Sequence, residues 1–496
     1  MTGSDPGAWR GAALAEWRAD VAKVAAELVA PLAAGMDEAD TLPPELIPGL
    51  ARAGLFAPLF PDGPGTAPDM RRFVVAVEEL AKVSGAAALA LAIQALGAFP
   101  LEVAGSPAQK ARWYPELAAG RALAAFALTE PGAGSDITGI ETRAERDGDG
   151  WRITGTKHYI SGAPLARLLV TFARTGEEPR DVTAFLVDTS RPGVRAGELH
   201  RKMGMRGYPV GRVHYEGYLA AGDDVLGPVG RGLPIALATL DRSRPGIAAQ
   251  ALGIAAGALE AALAWAATRV QFGVPIIEQQ GVAFMLADME TAVEASRGLL
   301  ERAADAVADG SPDMSRLASL AKLHASDAAM RVTTDAVQVL GGAGYMRDHP
   351  VERMMRDAKV TPDLRGHQPG PADRDRPGHA GPAAGSEGVR LVASRFREEV
   401  WELVRAVPPG RATTYGDIAE AYYGVRKGAQ SVGQAVAHSP DGVPWWRVVQ
   451  FDGGIIERPC AAEQRARLAE EGVPVVGGKV VWDEAGGPFS PPSRGR

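Results

Sequence analysis

Phe126-Ala-Leu-Thr-Glu-Pro-Gly-Ala-Gly-Ser-Asp136 is the stretch on which the reading of this chain turns. Gly132 and Gly134 let the backbone come close to a ligand, while Thr129 and Ser135 offer hydroxyls that donate and accept. Taken alone, the stretch could be no more than a tight turn. The texture of the chain changes on either side of it. Up to about Gly120 the segments Trp9–Ala34 and Arg71–Leu101 are rich in Ala, Leu and Val, with charges every three or four residues, which predicts an antiparallel helix cluster. From Ala122 to Gly230, alternating runs such as Trp151-Arg-Ile-Thr154, Leu168-Leu-Val-Thr-Phe172 and Thr183-Ala-Phe-Leu-Val187 lie between Gly, Asp and Pro turns and predict a β domain. Helical periodicity returns from Leu233 to about Val360 in three or four long segments, with breaks near Phe272–Pro275, Gly310–Pro312 and Gly341–Gly344.

Composition bounds the rest. A chain of 496 residues, at roughly 100 to 200 per domain, calls for two to four domains. With 46% hydrophobic and 23% charged residues it is neither disordered nor fibrous. The single cysteine, Cys460, rules out an internal disulfide and a thiolate-cage metal site, and points to a reducing, cytoplasmic setting. Met1–Asp20 has no apolar run of the kind a secretory signal needs. Gly85–Gly105, the most apolar segment, consists of small residues broken by Gln94 and Pro100, which favours a buried helix over a membrane span. Net charge is -7, but Arg390–Arg496 carries 14 Lys+Arg against 13 Asp+Glu, so that part is +1 and the remainder -8. A nucleic-acid role for the tail would rest on the placement of a few side chains and not on bulk attraction. Thr361–Arg390, with five prolines and six glycines in 30 residues, reads as a linker. The expected organisation is multidomain α+β: a helical domain over 1–120, a β domain over 121–231, a helical bundle over 232–360, a linker over 361–390 and a small domain over 391–496.

The Phe126–Asp136 stretch does not stand alone. Lys202-Met-Gly-Met-Arg-Gly207, Arg269-Val-Gln-Phe-Gly-Val-Pro275, Gln338-Val-Leu-Gly-Gly-Ala-Gly344 and Val351-Glu-Arg-Met-Met-Arg-Asp-Ala-Lys359 follow in order. Together they resemble the acyl-CoA dehydrogenase family over roughly residues 10–360. The resemblance implies that family's fold, with its four-helix bundle, and an FAD enzyme. A carboxylate removes the α proton of an acyl-CoA thioester while the β hydrogen passes as hydride to the flavin. It places Phe126, Leu128 and Thr129 along the isoalloxazine, Ser135 near phosphates or substrate, and Tyr159 and Ser161 on the flavin's other side, Tyr159 standing where the family usually has Trp. Arg269, Gln271 and Phe272, with Gln338, Gly341 and Gly342, would reach the FAD of a neighbouring subunit, which implies a homodimer or homotetramer. Asp241 and Arg244 fall where the CoA ester is contacted. An electron-transfer flavoprotein is the implied acceptor. On their own, Gly341-Gly342 reads as well as a helix C-cap and Arg269 as a surface ion pair.

The family's base is the Glu of a Tyr-Glu-Gly-Thr-Asn-Gln stretch. Here Thr361 is followed by Pro-Asp-Leu-Arg-Gly-His-Gln-Pro369, with Arg365 near the position of that Glu. Some members carry the base two residues after the Asp aligned with Asp241, but Ser243 is there, and a serine cannot replace a carboxylate base near neutral pH. Codons for Pro362–Pro369 can be chosen so that a one-nucleotide shift reads Gln-Ile-Tyr-Glu-Gly-Thr-Asn-Gln. Gly370–Pro377 shifts likewise to Val-Gln-Arg-Ile-Val-Ile-Ala-Arg. A frameshift or sequencing error near Thr361 would therefore account for the missing base. The chain as written would be an impaired dehydrogenase.

Beyond the linker, Phe396–Arg405, Tyr415–Tyr423 and Ala429–His438 read as amphipathic helices, followed by an irregular Pro/Trp/Gly segment. Val407-Pro-Pro-Gly-Arg-Ala-Thr-Thr-Tyr-Gly-Asp-Ile-Ala419, Ala429-Gln-Ser-Val-Gly-Gln-Ala-Val-Ala437 and Pro444-Trp-Trp-Arg-Val-Val449 resemble the DNA-binding domain of O6-alkylguanine-DNA alkyltransferases. That family inserts a helix-turn-helix into the minor groove and flips the damaged guanine toward a cysteine. Trp445 occupies the cysteine position and Trp446 the histidine position, so the resemblance is to the alkyltransferase-like subgroup that recognises O6-alkylguanine in duplex DNA without repairing it. Cys460, in Arg458-Pro-Cys-Ala-Ala462, lies outside the motif. The resemblance assigns DNA contacts to Tyr415, Gln430, Ser431 and Trp445, with Gln430 in place of the usual wedge Arg, and has Arg447 supporting the backbone at Trp445. Trp445 and Trp446 could also be core aromatics of a domain that no longer binds DNA. Three wider alternatives stay open: a fusion of two activities, a lesion binder carrying a dead flavoprotein, and a read-through of two genes.

Overall fold

The computed structural model describes residues 9–61, 67–363, 396–423, 429–437, 439–440, 442–456, 460–482 and 488–491. Most of the 361–390 linker, including Arg365, lies outside the described residues, as do Cys460's neighbours 457–459. The chain divides into two units, Met1–Gly378 and His379–Arg496.

The first unit opens with α1 (Ala12–Val24) and α2 (Ala30–Ala39), joined through one π turn over Ala25–Val29, so the helix expected at Trp9–Ala34 starts later and ends later. After α3 (Leu46–Arg52), the helical segment Arg71–Leu101 holds two helices, α4 (Met70–Val83) and α5 (Gly85–Ala104). Ser84 divides them: its backbone is extended (φ -150°, ψ 113°) and its hydroxyl accepts the Ala87 N–H, the usual work of a serine N-cap. α5 is buried from Gly85 to Leu101. α5 and the later helix Gly232–Thr268 are long and apolar enough to cross a membrane, but each is mostly buried within the fold, as core helices are. Buried Gln94 donates to the Leu117 and Ala122 carbonyls at 2.9 and 3.0 Å and accepts from the Ala124 N–H at 2.9 Å. It thereby satisfies the backbone where α6 (Pro107–Ala118) gives way to β1 (Leu123–Ala127).

The β domain continues with β2 (Arg143–Asp147), β3 (Gly150–Ser161), β4 (Ala166–Arg174), β5 (Val182–Asp188), β6 (Val194–Leu199), β7 (Val210–Ala220) and β8 (Val225–Leu226). The sheet runs β6-β7-β3-β2-β4-β5-β8, with β1 parallel to β4. Trp151, Ile153, Phe185, Tyr215 and Tyr218 fill its second core. The bundle comprises α7 (Gly232–Thr268), α8 (Gln280–Ala308), α9 (Met314–Leu340) and α10 (Val351–Ala358), with the three breaks where the sequence predicts them. The first break is a tight ribbon, β9 (Val270–Gln271) and β10 (Val274–Pro275), turning through Phe272 and Gly273.

In the second unit a helix over 396–405, α11, leads to β11 (Thr413–Thr414), which pairs in parallel with β12 (Val448–Val449). α12 (Tyr415–Tyr423) and α13 (Ala429–Ala437) lie between these strands in sequence. The segment expected to be irregular contains a fourth helix, α14 (Ala461–Glu470), and a hairpin of β13 (Val475–Val476) and β14 (Lys479–Val480). The signal for α14 was present in its Ala, Glu, Arg and Leu content and in the Glu463–Arg467 pair one turn apart.

Candidate functional site

The Phe126–Asp136 stretch runs from β1 into a tight turn. Phe126 is half-buried against Phe172 (ring centroids 4.9 Å apart), Leu128 is buried and Thr129 half-buried. The His158 N–H donates to the Thr129 carbonyl at 2.8 Å, which sets the end of β3 beside the turn. The register of β3 against β7 slips between Lys157 and Ile160, and within that bulge Tyr159 takes a left-handed backbone (φ 56°). A bulky residue at positive φ is a strained choice, and it turns the ring outward: Tyr159 is 63% exposed, resting on His158 and His200 at 4.0 and 4.9 Å. Ser161 is half-buried and Ser135 exposed. A Cβ at Gly132 or Gly134 would meet no atom within 4 Å, so the turn is open to a ligand. An exposed aromatic wall beside an open glycine turn fits a flat cofactor such as FAD.

On the bundle, Arg269, Gln271 and Phe272 lie on the exposed β9–β10 ribbon, Phe272 at 96% exposure. Among the described residues Arg269 forms no ion pair. Gln338 is exposed in the last turn of α9, and Gly341, at φ 62°, ends that helix with its N–H on the Gln338 carbonyl, so it is a C-cap in structural terms. Gly342 is exposed beside it. No hydrogen bond or ring contact among the described residues joins this group to the β-domain face.

On α7, Asp241 and Arg244 form an ion pair, and Arg244 also reaches the Ser319 hydroxyl at 3.3 Å. Ser243 is buried and donates to the Leu240 carbonyl at 3.0 Å. Opposite, α9 grips the chain leaving α10: the Ser326 hydroxyl donates to the Thr361 carbonyl at 3.1 Å and Lys322 donates to that of Pro362. Burial, and then the neighbouring Arg244, push the Lys322 ammonium below its ordinary value. The described stretch of the first unit ends at Asp363, two residues before Arg365.

In the second unit Tyr415 starts α12, and Gln430 and Ser431 lie on α13. Trp445 is half-buried and edge-on to Trp446, with ring centroids 6.1 Å apart. The Trp446 indole N–H donates to Glu471 at 2.9 Å, and the Arg467 guanidinium lies 4.4 Å from its ring. Among the described residues the Arg447 side chain makes no hydrogen bond to Trp445 itself. It donates to Glu471 and to the Val407 carbonyl, tying the Pro-Trp-Trp-Arg segment to the end of α14 and to the loop after α11. Gln464 of α14 donates to the Trp446 and Val448 carbonyls, both at 3.0 Å. Sequence reasoning missed Glu471, Gln464 and Arg467, since nothing in the Pro-Trp-Trp-Arg segment marks a distant helix as their carrier.

Residues 12–121, 125–218 and 230–368 match the models of the N-terminal, middle and C-terminal domains of acyl-CoA dehydrogenase. Residues 395–473 match that of the 6-O-methylguanine DNA methyltransferase DNA-binding domain. Cyclohexane-1-carbonyl-CoA dehydrogenase of Geobacter metallireducens is 42% identical over 349 residues, 70% of this chain and 92% of the relative. An acyl-CoA dehydrogenase of Bacillus subtilis is 40% identical over 337 residues, 67% and 89% of the two chains. Butyryl-CoA dehydrogenase from Megasphaera elsdenii superposes with a TM-score of 0.70 at 36% identity, covering 72% of this chain and 95% of its own. A chain from a study of the electron transferring flavoprotein of Acidaminococcus fermentans gives 0.70 at 37%, covering 74% and 96%. A glutaryl-CoA dehydrogenase from Mycobacterium smegmatis in complex with FADH2 gives 0.67 at 28%, covering 73% and 93%. Over residues 12–368 the chain therefore belongs to the acyl-CoA dehydrogenase family of FAD-dependent oxidoreductases.

Proposed function

We propose that the first unit binds FAD between the Phe126–Ser135 turn and Tyr159–Ser161, takes an acyl-CoA thioester toward Asp241 and Arg244, and dehydrogenates it poorly or not at all. The observation that carries this is the grip of Lys322 and Ser326 on Thr361 and Pro362. We read that grip as the support of a base-bearing segment, while the residues that follow hold Arg365 where the motif calls for Glu. When bound, FAD supplies the hydride acceptor. The chain's own part is to orient the thioester and remove the α proton, and the second task has no carboxylate assigned to it. Exposed Arg269, Gln271, Phe272, Gln338, Gly341 and Gly342 are read as contacts to the FAD of a second copy, in a homodimer or homotetramer. Reoxidation would fall to an electron-transfer flavoprotein.

Mixing the flavin-loaded chain with acyl-CoAs of several lengths tests the reading through the visible flavin absorbance. Little bleaching is expected, and rapid bleaching would refute the loss of the base. Sequencing the gene across the Thr361 codon tests the frameshift: codons that cannot yield Glu in the shifted frame end that idea and leave a genuine fusion.

For the second unit the family match over residues 395–473 favours DNA binding, and Trp445 in the position of the family's cysteine argues against alkyl transfer. Trp445 would line the pocket for O6-alkylguanine, with Tyr415, Gln430 and Ser431 on the duplex and Arg447 bracing the segment from behind. Affinity for a duplex containing O6-methylguanine is compared with that for undamaged duplex across a salt series. Equal affinities would sink lesion recognition.

A further inference from the structure

A buried charge pair lies behind the face assigned to the flavin. Lys157 and Glu130 are 0% and 4% exposed, with Nζ 2.7 Å from Oε1. Their other side-chain bonds run to the backbone. Lys157 Nζ donates to the Leu128 carbonyl at 3.1 Å, and the Glu130 carboxylate accepts the N–H groups of Glu141 and Thr142 at 2.6 and 3.1 Å. The main chain of Glu130 also exchanges hydrogen bonds with that of Ala133, at 2.9 and 3.1 Å, closing the turn over Pro131 and Gly132. Just beyond Lys157 comes the His158 bond to Thr129, and then the bulge at Tyr159.

A buried ion pair is a poor way to gain stability. Each charge costs several kcal/mol to desolvate, and an apolar pair of like volume often serves as well. An apolar pair could not bond the backbone at Leu128, Glu141 and Thr142. We propose that Lys157 and Glu130 are positioning residues for FAD, fixing the spacing between the Leu128–Ser135 turn and the Tyr159–Ser161 segment so that the flavin ring fits between them. This rests on the reading of those two segments as the flavin site. Burial draws the Lys157 ammonium down to about 8 while Glu130 holds it up, which keeps the pair charged at neutral pH.

The test titrates the full-length apoprotein with FAD, following flavin absorbance and fluorescence, for the wild type, Glu130→Gln and the double variant Glu130→Gln/Lys157→Met. The single variant is expected to bind FAD at least about tenfold more weakly, since a site held even ~0.5 Å out of place loses function. The double variant removes both buried charges and carries the test if the single one fails to fold. It is expected to melt within a few degrees of wild-type apoprotein yet to keep the weakened binding and an altered visible flavin spectrum. A double variant with wild-type affinity and spectrum overturns the proposal. A wild-type chain that takes up no FAD overturns the flavin-site reading itself, and the proposal with it.

Discussion

The Arg447 guanidinium forks onto the Glu471 carboxylate, with Nε 2.7 Å from Oε2 and Nη2 2.7 Å from Oε1. Both groups are largely buried, and the bonds from Arg447 and Trp446 hold the Glu471 carboxyl below its ordinary range against the opposing effect of burial. Removing one member of such a pair strands the other. Glu471→Ala is expected to destabilise the second unit by about 3 kcal/mol, read by denaturant unfolding followed through tryptophan fluorescence. The sign of the pH dependence follows from the lowered carboxyl: the contribution is full above the ordinary glutamate value of 4.5 and is lost as pH falls through the folded value. The variant should lack that acid-side loss.

Asp357 behaves in the opposite sense. It is wholly buried, accepts the Met205 N–H, and burial raises its carboxyl from 3.8 to about 7, opposed by the Met205 bond and Arg353. The unfolded chain gives up this proton first, so this group's contribution to stability falls as pH rises from about 4 to 7 and is level above that. Asp357→Asn keeps an acceptor for Met205 without the titration. Relative to wild type it should gain stability across that window, by up to about 4 kcal/mol at ~1.4 kcal/mol per pKa unit. Parallel melts at pH 5 and 7.5 measure it, and equal shifts at both would show that Asp357 does not titrate there.

The proposed loss of the base is tested by restoring the motif. Replacing Pro362→Gln, Asp363→Ile, Leu364→Tyr, Arg365→Glu, His367→Thr, Gln368→Asn and Pro369→Gln restores the family stretch around Gly366. General-base catalysis is worth about 10²- to 10⁴-fold, and flavin bleaching by acyl-CoA should accelerate by that order. Stopped-flow absorbance provides the readout.

Tyr159 offers a simpler check on the flavin wall. Tyr159→Ala is expected to weaken FAD binding by about 1 kcal/mol, the worth of an aromatic contact, whereas Tyr159→Trp should bind at least as well as wild type. Fluorescence titration of the apoprotein with FAD distinguishes the two. Equal binding by all three proteins would remove Tyr159 from the site.

Much of this was legible before any tertiary structure. The helix, sheet, helix succession followed from periodicity, and the three breaks in the bundle fell where Gly and Pro mark them. The reading failed where a local signal was weak or shared. Ser84 divides a run that looks continuous, because a serine inside an apolar stretch reads equally as a helix residue or a cap. α14 was overlooked behind a segment dominated by Pro, Trp and Gly. Nothing in the sequence around Arg447 marks its side-chain partner, Glu471, 24 residues away.

Order is a property of the line of residues, and the sequence alone determined it: which modules follow one another, that their motifs match those of a dehydrogenase and a DNA-binding domain, and that Arg365 and Trp445 stand where the two resemblances call for Glu and Cys. Which charges are taken out of water, and with whom, was decided only by the tertiary structure. Lys157 meets Glu130 across 27 residues, Met205 meets Asp357 across 152, and Arg356 meets Asp37 across 319. Periodicity reports which face of an element is buried. The cost of burying a charge, and the partner that offsets it, depend on what the fold brings within about 3 Å.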